Sequence, residues 1–166
     1  MSDLARQYDA VNLMADPLHG YIKITKRSHG DSAAAEQDLL DHPWLQRLRR
    51  IHQLQSAWWV FPGGEHSRFQ HALGAMHLSG EWARQLYPNL RVVAKDAPSP
   101  ACVEETLRVA GLLHDIGHGP FGHFFDQNYL DRFHIDHEVI GRALIETELA
   151  PIIAALDAAP SGAFEA

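Results

Sequence analysis

The segment that most constrains this chain is LLHDIGHGPFGHFFD, residues 112–126. An apolar helical run reaches a His-Asp pair and is then broken by Gly117, Gly119 and Pro120. Glycine and proline at that density stop a helix. His114 and Asp115 are therefore expected at its C-terminal end, where both side chains can turn onto one ion. An isolated His-Asp dipeptide says almost nothing. The fifteen-residue run is far more specific than its parts.

Twelve histidines occur, and five of them (His114, His118, His123, His134 and His137) fall within 24 residues. Histidine is the commonest metal ligand and the natural acid–base group near neutral pH. The glycines flanking His118 suggest a close backbone approach to an ion. His123 and Asp126 are three apart, so on a helix the carboxylate can reach and orient the imidazole, as a general acid requires. An i, i+4 zinc pair of His114 and His118 is disfavoured by Gly117, which ends the helix.

A second segment, GGEHSRFQHALGAMHLSG (63–80), places His71 on a core-facing helix between Phe69 and Leu73. Its ordinary alternative is a hydrogen-bonded core histidine. Arg68 lies one turn earlier and can face the same pocket, where a guanidinium suits a phosphate oxygen. His66 reads as a turn residue and His77 as a surface or structural one. In a third segment, HIDHEVIG (134–141), His137–Glu138 is no zincin motif because Gly141 stands where a histidine would be needed. It reads equally as a proton relay or a solvated helix start.

Around these segments the patterning is helical. Leu45, Leu48, Ile51 and Leu54 predict a helix opening at Asp41 or His42, with Pro43 in its first turn. A second is expected from about Ser67 to Leu86, stopped by Pro88 and Asn89. A third starts near Ala101 and ends near Ile116, and shorter ones cover about 121–131 and 136–149. Residues 16–25 read as a turn and a short extended piece, and 26–37 as a polar loop running towards a helix. The fold class is all-α. Residues 1–40 form an extended segment and loop, 41–150 the helical domain, and 151–166 a loop-like tail.

The bulk numbers bound the function. At 46% hydrophobic residues a packed core is available, and a formal charge of −7 disfavours nucleic-acid backbone as a partner. One cysteine, Cys102, excludes an internal disulfide framework. No signal-like N-terminus or membrane-length apolar run is evident, so a cytoplasmic location is expected. No P-loop, dinucleotide-binding or nucleophile-elbow motif occurs.

The ordered series DPLHGYI, HPWLQRLRRIHQLQSAWWVFPGGEHSRFQHALGAMHLSG, AGLLHDIGHGPFGHFFD and HE resembles the HD-domain deoxynucleoside triphosphate triphosphohydrolases over residues 14–141. The resemblance implies an HD-domain helical bundle with a short extended N-terminal segment. It implies a metal held by His71, His114 and Asp115, and hydrolysis of a dNTP to deoxynucleoside and tripolyphosphate. His123 would protonate the leaving oxygen with Asp126 orienting it. His118 and His137 would line the phosphate pocket, Arg68 would bind phosphate, and Gln53 and Leu54 would meet sugar and base. The mixed N/O donor set suits manganese, iron, zinc, nickel or cobalt, with magnesium entering on the substrate. Asp41, Gln46 and Arg49 resemble positions for an activating nucleotide, and a homo-oligomer is expected. The family's fourth ligand, a later aspartate, has no matching motif before Ala166, so the chain is read as truncated at its C-terminus. The alternatives are an HD phosphohydrolase for a monophosphate or signalling nucleotide, or a non-catalytic nucleotide-binding fragment.

Overall fold

A computed structural model describes residues 10–27 and 33–156. The chain opens with an antiparallel hairpin, β1 (Val11–Asp16) and β2 (Gly20–Thr25), in register from Val11↔Thr25 to Asp16↔Gly20. Its turn is local chemistry: Asp16 Oδ1 accepts the backbone N–H of Leu18 and of His19, both at 2.9 Å. Gly20 follows at φ +74°, a conformation glycine adopts without strain. Ile22 and Ile24 on alternate positions point into the core. The expected extended piece is thus the second strand of a hairpin.

Helix α1 (Glu36–Leu40) begins inside the stretch read as a loop. Thr25 and Glu36 exchange hydrogen bonds at 3.0 Å in both directions. Arg108 then donates to both Glu36 oxygens, at 2.5 and 2.9 Å, and to the Lys23 carbonyl at 2.8 Å. That buried pair fastens the hairpin and α1 to the helical body.

Helix α2 (Pro43–Gln46) runs into a 3-10 turn (Arg47–Arg50) and stops there. The sequence predicts one helix as far as Leu54; instead Ile51 is extended (φ −117°, ψ 114°). Its carbonyl accepts Arg68 N–H at 2.8 Å, and Gln53 N–H bonds the His66 carbonyl at 3.0 Å. Tertiary pairing with the 66–68 segment overrides the helical spacing, and Leu54 stands exposed in a turn.

Helix α3 (Arg68–Val93) is capped by Ser67, whose Oγ accepts Gln70 N–H at 3.3 Å. Phe69, Leu73, Met76, Gly80 and Ala83 are buried as the spacing predicts. The helix does not end at Pro88. That proline is on an exposed face, and Arg91 in the following turn bonds the carbonyls of Lys95 and Ala97. Helix α4 (Pro100–Leu113) is capped by Ser99. Neighbours across α3 and α4 run 71 with 114, 80 with 108 and 84 with 104, so the pair is antiparallel. Gly111 permits the close approach: a Cβ there would stand 2.7 Å from Ser79 Oγ and 2.9 Å from the Ala75 carbonyl.

The remaining helices are α5 (His123–Asn128), α6 (His137–Leu144), continued by a π turn (Ile145–Leu149), and α7 (Ala150–Ile153). The start of the expected loop-like tail is therefore helical. Ala34 N–H bonds the Ala155 carbonyl at 2.8 Å, which ties it to α1. Residues 1–9, 28–32 and 157–166 lie outside the described residues. One core, including Ile22, Leu40, Leu48, Met76, Leu112 and Ile116, joins hairpin and helices.

Candidate metal centre and its histidine neighbour

Helix α4 ends at Leu113, so its last carbonyls need donors. His114 Nδ1 lies 2.7 Å from the Gly111 carbonyl. A carbonyl only accepts, so Nδ1 carries the proton and Nε2 keeps its lone pair. That Nε2 is 3.2 Å from His71 Nε2, and the two rings meet at 5.1 Å and 72°. Asp115 completes the group, with Oδ2 3.7 Å from His71 Nε2 and Oδ1 3.4 Å from His114 Nε2. Around an ion with bonds of 2.0–2.2 Å, adjacent donors stand roughly 3 to 3.5 Å apart. The three side chains, from positions 71, 114 and 115, thus converge with spacings that fit a divalent ion.

Arg68 is 2% exposed and its Nη1 donates to Asp115 Oδ2 at 2.8 Å. The guanidinium expected to meet a phosphate thus also holds the carboxylate of the metal group through one nitrogen. Burial alone would raise the Asp115 carboxyl, but the His118 imidazole and the electrostatic pull of His114 and of the Arg68 guanidinium outweigh it and hold it well below the usual range. Asp115 is therefore an anion at neutral pH. Burial likewise holds His71 below its ordinary value, against the pull of Asp115, which favours the neutral form a metal ligand needs.

The second group lies beside the first. Asp126 Oδ2 accepts from His137 Nδ1 at 2.6 Å, whereas His123 Nδ1 is 3.6 Å away. The expected His123–Asp126 hydrogen bond is therefore replaced by a His137–Asp126 one, because the opening turn of α6 is seated on Gly117 and brings His137 to Asp126. His118 is fully enclosed and stacks on His137 at 3.7 Å and 13°, with neither ring nitrogen hydrogen-bonded. Its Nε2 stands 3.4 Å from Asp115 Oδ1 and its Nδ1 3.7 Å from Asp126 Oδ2, so it separates the two groups. The glycines near it serve packing. A Cβ on Gly117 would collide with the His137 carbonyl and the Gly141 backbone, and one on Gly119 would meet the Phe125 ring at 2.5 Å.

Gln53 and Leu54 are placed by the 63–66 loop: Gln53 through the His66 carbonyl, Leu54 against Gly64. Asp136 caps α6 by accepting Val139 N–H at 2.9 Å, and Asp131 is exposed. Among the described residues neither joins the first group. His66 and His71 line a 570 Å³ cavity with Asp16, His19 and Gln70, and His114 borders a second, of 500 Å³, with Glu138 and Arg142. Sequence reading missed Arg47, whose two terminal nitrogens donate to the carbonyls of Ile116 and His118, each at 2.7 Å. Its one signal is that the carbonyls of the buried, glycine-broken turn after an apolar helix need a donor from somewhere.

The HD-domain family model matches residues 68–160. The chain is 38% identical over 125 residues to deoxynucleoside triphosphate triphosphohydrolase SAMHD1 of Bos taurus, covering 74% of this chain and 19% of that one. It is 34% identical over 140 residues to the uncharacterized protein YwfO of Bacillus subtilis, covering 83% and 28%. A crystal structure of a phosphohydrolase from Bacteroides thetaiotaomicron superposes with a TM-score of 0.68 at 34% identity, over 87% of this chain and 33% of that one. The chain spans about a fifth of the length of the SAMHD1 relatives it matches. No described helix is long and apolar enough to cross a membrane. With a His-Asp pair closing a helix and a second histidine brought to it from the helix alongside, this chain belongs to the HD-domain family.

Proposed function

We propose that this chain carries the catalytic core of a metal-dependent hydrolase that cleaves a deoxynucleoside triphosphate to deoxynucleoside and tripolyphosphate. The observation that carries the reading is the convergence of His71 Nε2, His114 Nε2 and the ionised Asp115 at ion-binding spacing. A divalent transition ion held there would supply charge neutralisation and an acidified water. Phosphoryl-type hydrolysis needs little more from a protein than positioning and electrostatics. Similarity to enzymes named as dNTP triphosphohydrolases supports the substrate class.

The chain's own side chains divide the remaining tasks. Arg68 fixes Asp115 in its charged form and orientation. His123, the most exposed histidine of the second group, donates a proton to the leaving 5′ oxygen. The His137–Asp126 hydrogen bond sets one His137 tautomer beside it. Enclosed His118 keeps the two carboxylates apart, and Gln53 and Leu54 face the nucleoside. An activating nucleotide at Asp41, Gln46 and Arg49 and a homo-oligomeric assembly belong to the same reading.

Incubation with each dNTP and Mn²⁺, followed by ion chromatography, tests it. Tripolyphosphate with free deoxynucleoside is expected. Diphosphate nucleotide with inorganic phosphate would sink the triphosphohydrolase form. Turnover of only a monophosphate or a signalling nucleotide would move the chain to another HD phosphohydrolase class. Binding without turnover of any nucleotide would make it a binding module.

A further inference from the structure

The two outer histidine rings of the second group are set against each other as the rings of the first are. The His123 and His137 rings meet at 5.1 Å and 78°, against 5.1 Å and 72° for His71 and His114. Two imidazoles that aim in-plane lone pairs at one ion with bonds near 2 Å place their ring centres about 5 Å apart. Both Nδ1 atoms face the same Asp126 oxygen, at 3.6 and 2.6 Å. The donor atoms all lie within 4.8 Å of one another. Asp126 Oδ1 is buried and has no hydrogen-bond partner.

We infer that His123, Asp126 and His137 form a second divalent-cation site, of the two-histidine, one-carboxylate type. His118 is not one of its ligands. Its ring lies parallel to that of His137, 3.7 Å away, and stacked rings cannot both aim in-plane lone pairs at one ion. It forms the enclosed floor instead. His123 is 56% exposed in its side chain and His137 16%, so the far side of the site is open to solvent. The open positions would take water or an anionic oxygen, and the donor set suits manganese, iron, cobalt or zinc. Binding is proton-balanced: the cation takes the place of the His137 Nδ1 proton, which moves to Nε2 of the same ring. The Asp126–His137 spacing opens from a hydrogen bond to a ligand–ligand distance.

This inference is independent of the hydrolytic reading in its binding claim and rests on it only for one consequence. A cation on His123 Nδ1 withdraws that ring from proton donation, so turnover falls when cation is raised beyond the level that fills the first group.

The test is cobalt stoichiometry on protein without a histidine tag, by equilibrium dialysis and metal analysis, with visible absorption of the bound ion. Wild type is expected to hold two cobalt ions, and His71→Ala and His123→Ala one each, with distinct spectra. Circular dichroism checks folding, and substitution at the exposed His123 should leave it unchanged. Asp126→Asn should match His123→Ala. A single ion lost in His71→Ala but kept in His123→Ala overturns the inference and leaves the hydrolytic reading intact. A single ion kept in His71→Ala and lost in His123→Ala upholds the inference and sinks the first metal site. No bound cobalt in wild type sinks both.

Discussion

The His71–His114–Asp115 group and the His123–Asp126–His137 group share the arrangement of their histidine rings but are built in different ways. The first joins the start of α3 to the end of α4, two long antiparallel helices. The second is assembled within fifteen residues, on one short helix and the opening turn of another. Their carboxylates differ as well. Asp115 is paired with the enclosed Arg68 and is charged before any ion arrives. Asp126 is hydrogen-bonded to His137, and a cation must replace the proton of that bond. Matching ring geometry therefore does not mean matching affinity: the first group is preorganised and should fill first.

The largest effect expected from breaking this comparison is on turnover. His71→Ala removes a ligand from the preorganised group and should lower dNTP hydrolysis by about a thousandfold or more, roughly 4 kcal/mol in the barrier. Tripolyphosphate release is the measurement, and loss of less than tenfold would remove the first group from the chemistry.

Gly117→Ala comes next, and it acts on stability. The added methyl meets the His137 carbonyl and the Gly141 backbone, neither of which can swing aside. We expect a loss of about 3 kcal/mol in denaturant unfolding, with α6 displaced. A protein of unchanged stability would show that α6 is not seated on the 115–118 loop.

Acid sensitivity sharpens the comparison further. Burial lowers His71 and His118 from the ordinary 6.5, so the unfolded chain binds protons that the native state refuses. Stability is then full above pH 6.5 and falls as pH drops below it. Asp115 is also lowered, from an ordinary 3.8, so its contribution is full above that value and is lost on further acidification. The melting temperature of metal-free protein should fall in these two stages, at no more than about 1.4 kcal/mol per pH unit for each group. A melting temperature that rises between pH 7 and 5 would contradict the assignment.

The smallest effect is reserved for His134, which lies in the histidine-rich run but in neither group. It sits at φ +55° in the left-handed region. His134→Gly should leave cobalt stoichiometry unchanged and alter stability by less than about 1 kcal/mol. A lost ion would mean that the boundary of the second group is drawn wrongly.

Much of the first group is legible in the residues. Gly117, Gly119 and Pro120 mark where α4 must stop, and the stripe from Phe69 to Ala83 marks the buried face of α3. The pairing inside the second group is not legible. Spacing put Asp126 with His123, three residues away on one helix, whereas Asp126 bonds His137, eleven residues on. That choice depends on how α6 is seated against Gly117, which helical periodicity does not encode. The same holds for Leu54, whose spacing matched a helix that a strand-like pairing at Ile51 and Gln53 cuts short.

By itself the sequence determined the local terms: where helices are capped by Ser67, Ser99 and Asp136, where glycine and proline end them, and which residues carry metal-binding chemistry. These follow from forces acting within a turn or two of the chain. Only the tertiary structure decided that Arg68 serves Asp115 and that Arg47 holds the carbonyls of Ile116 and His118. It also decided that His118 is enclosed as the partition between two ion-binding geometries. Each of these joins residues distant in sequence, and the burial that makes each bond strong exists only once the helices have packed.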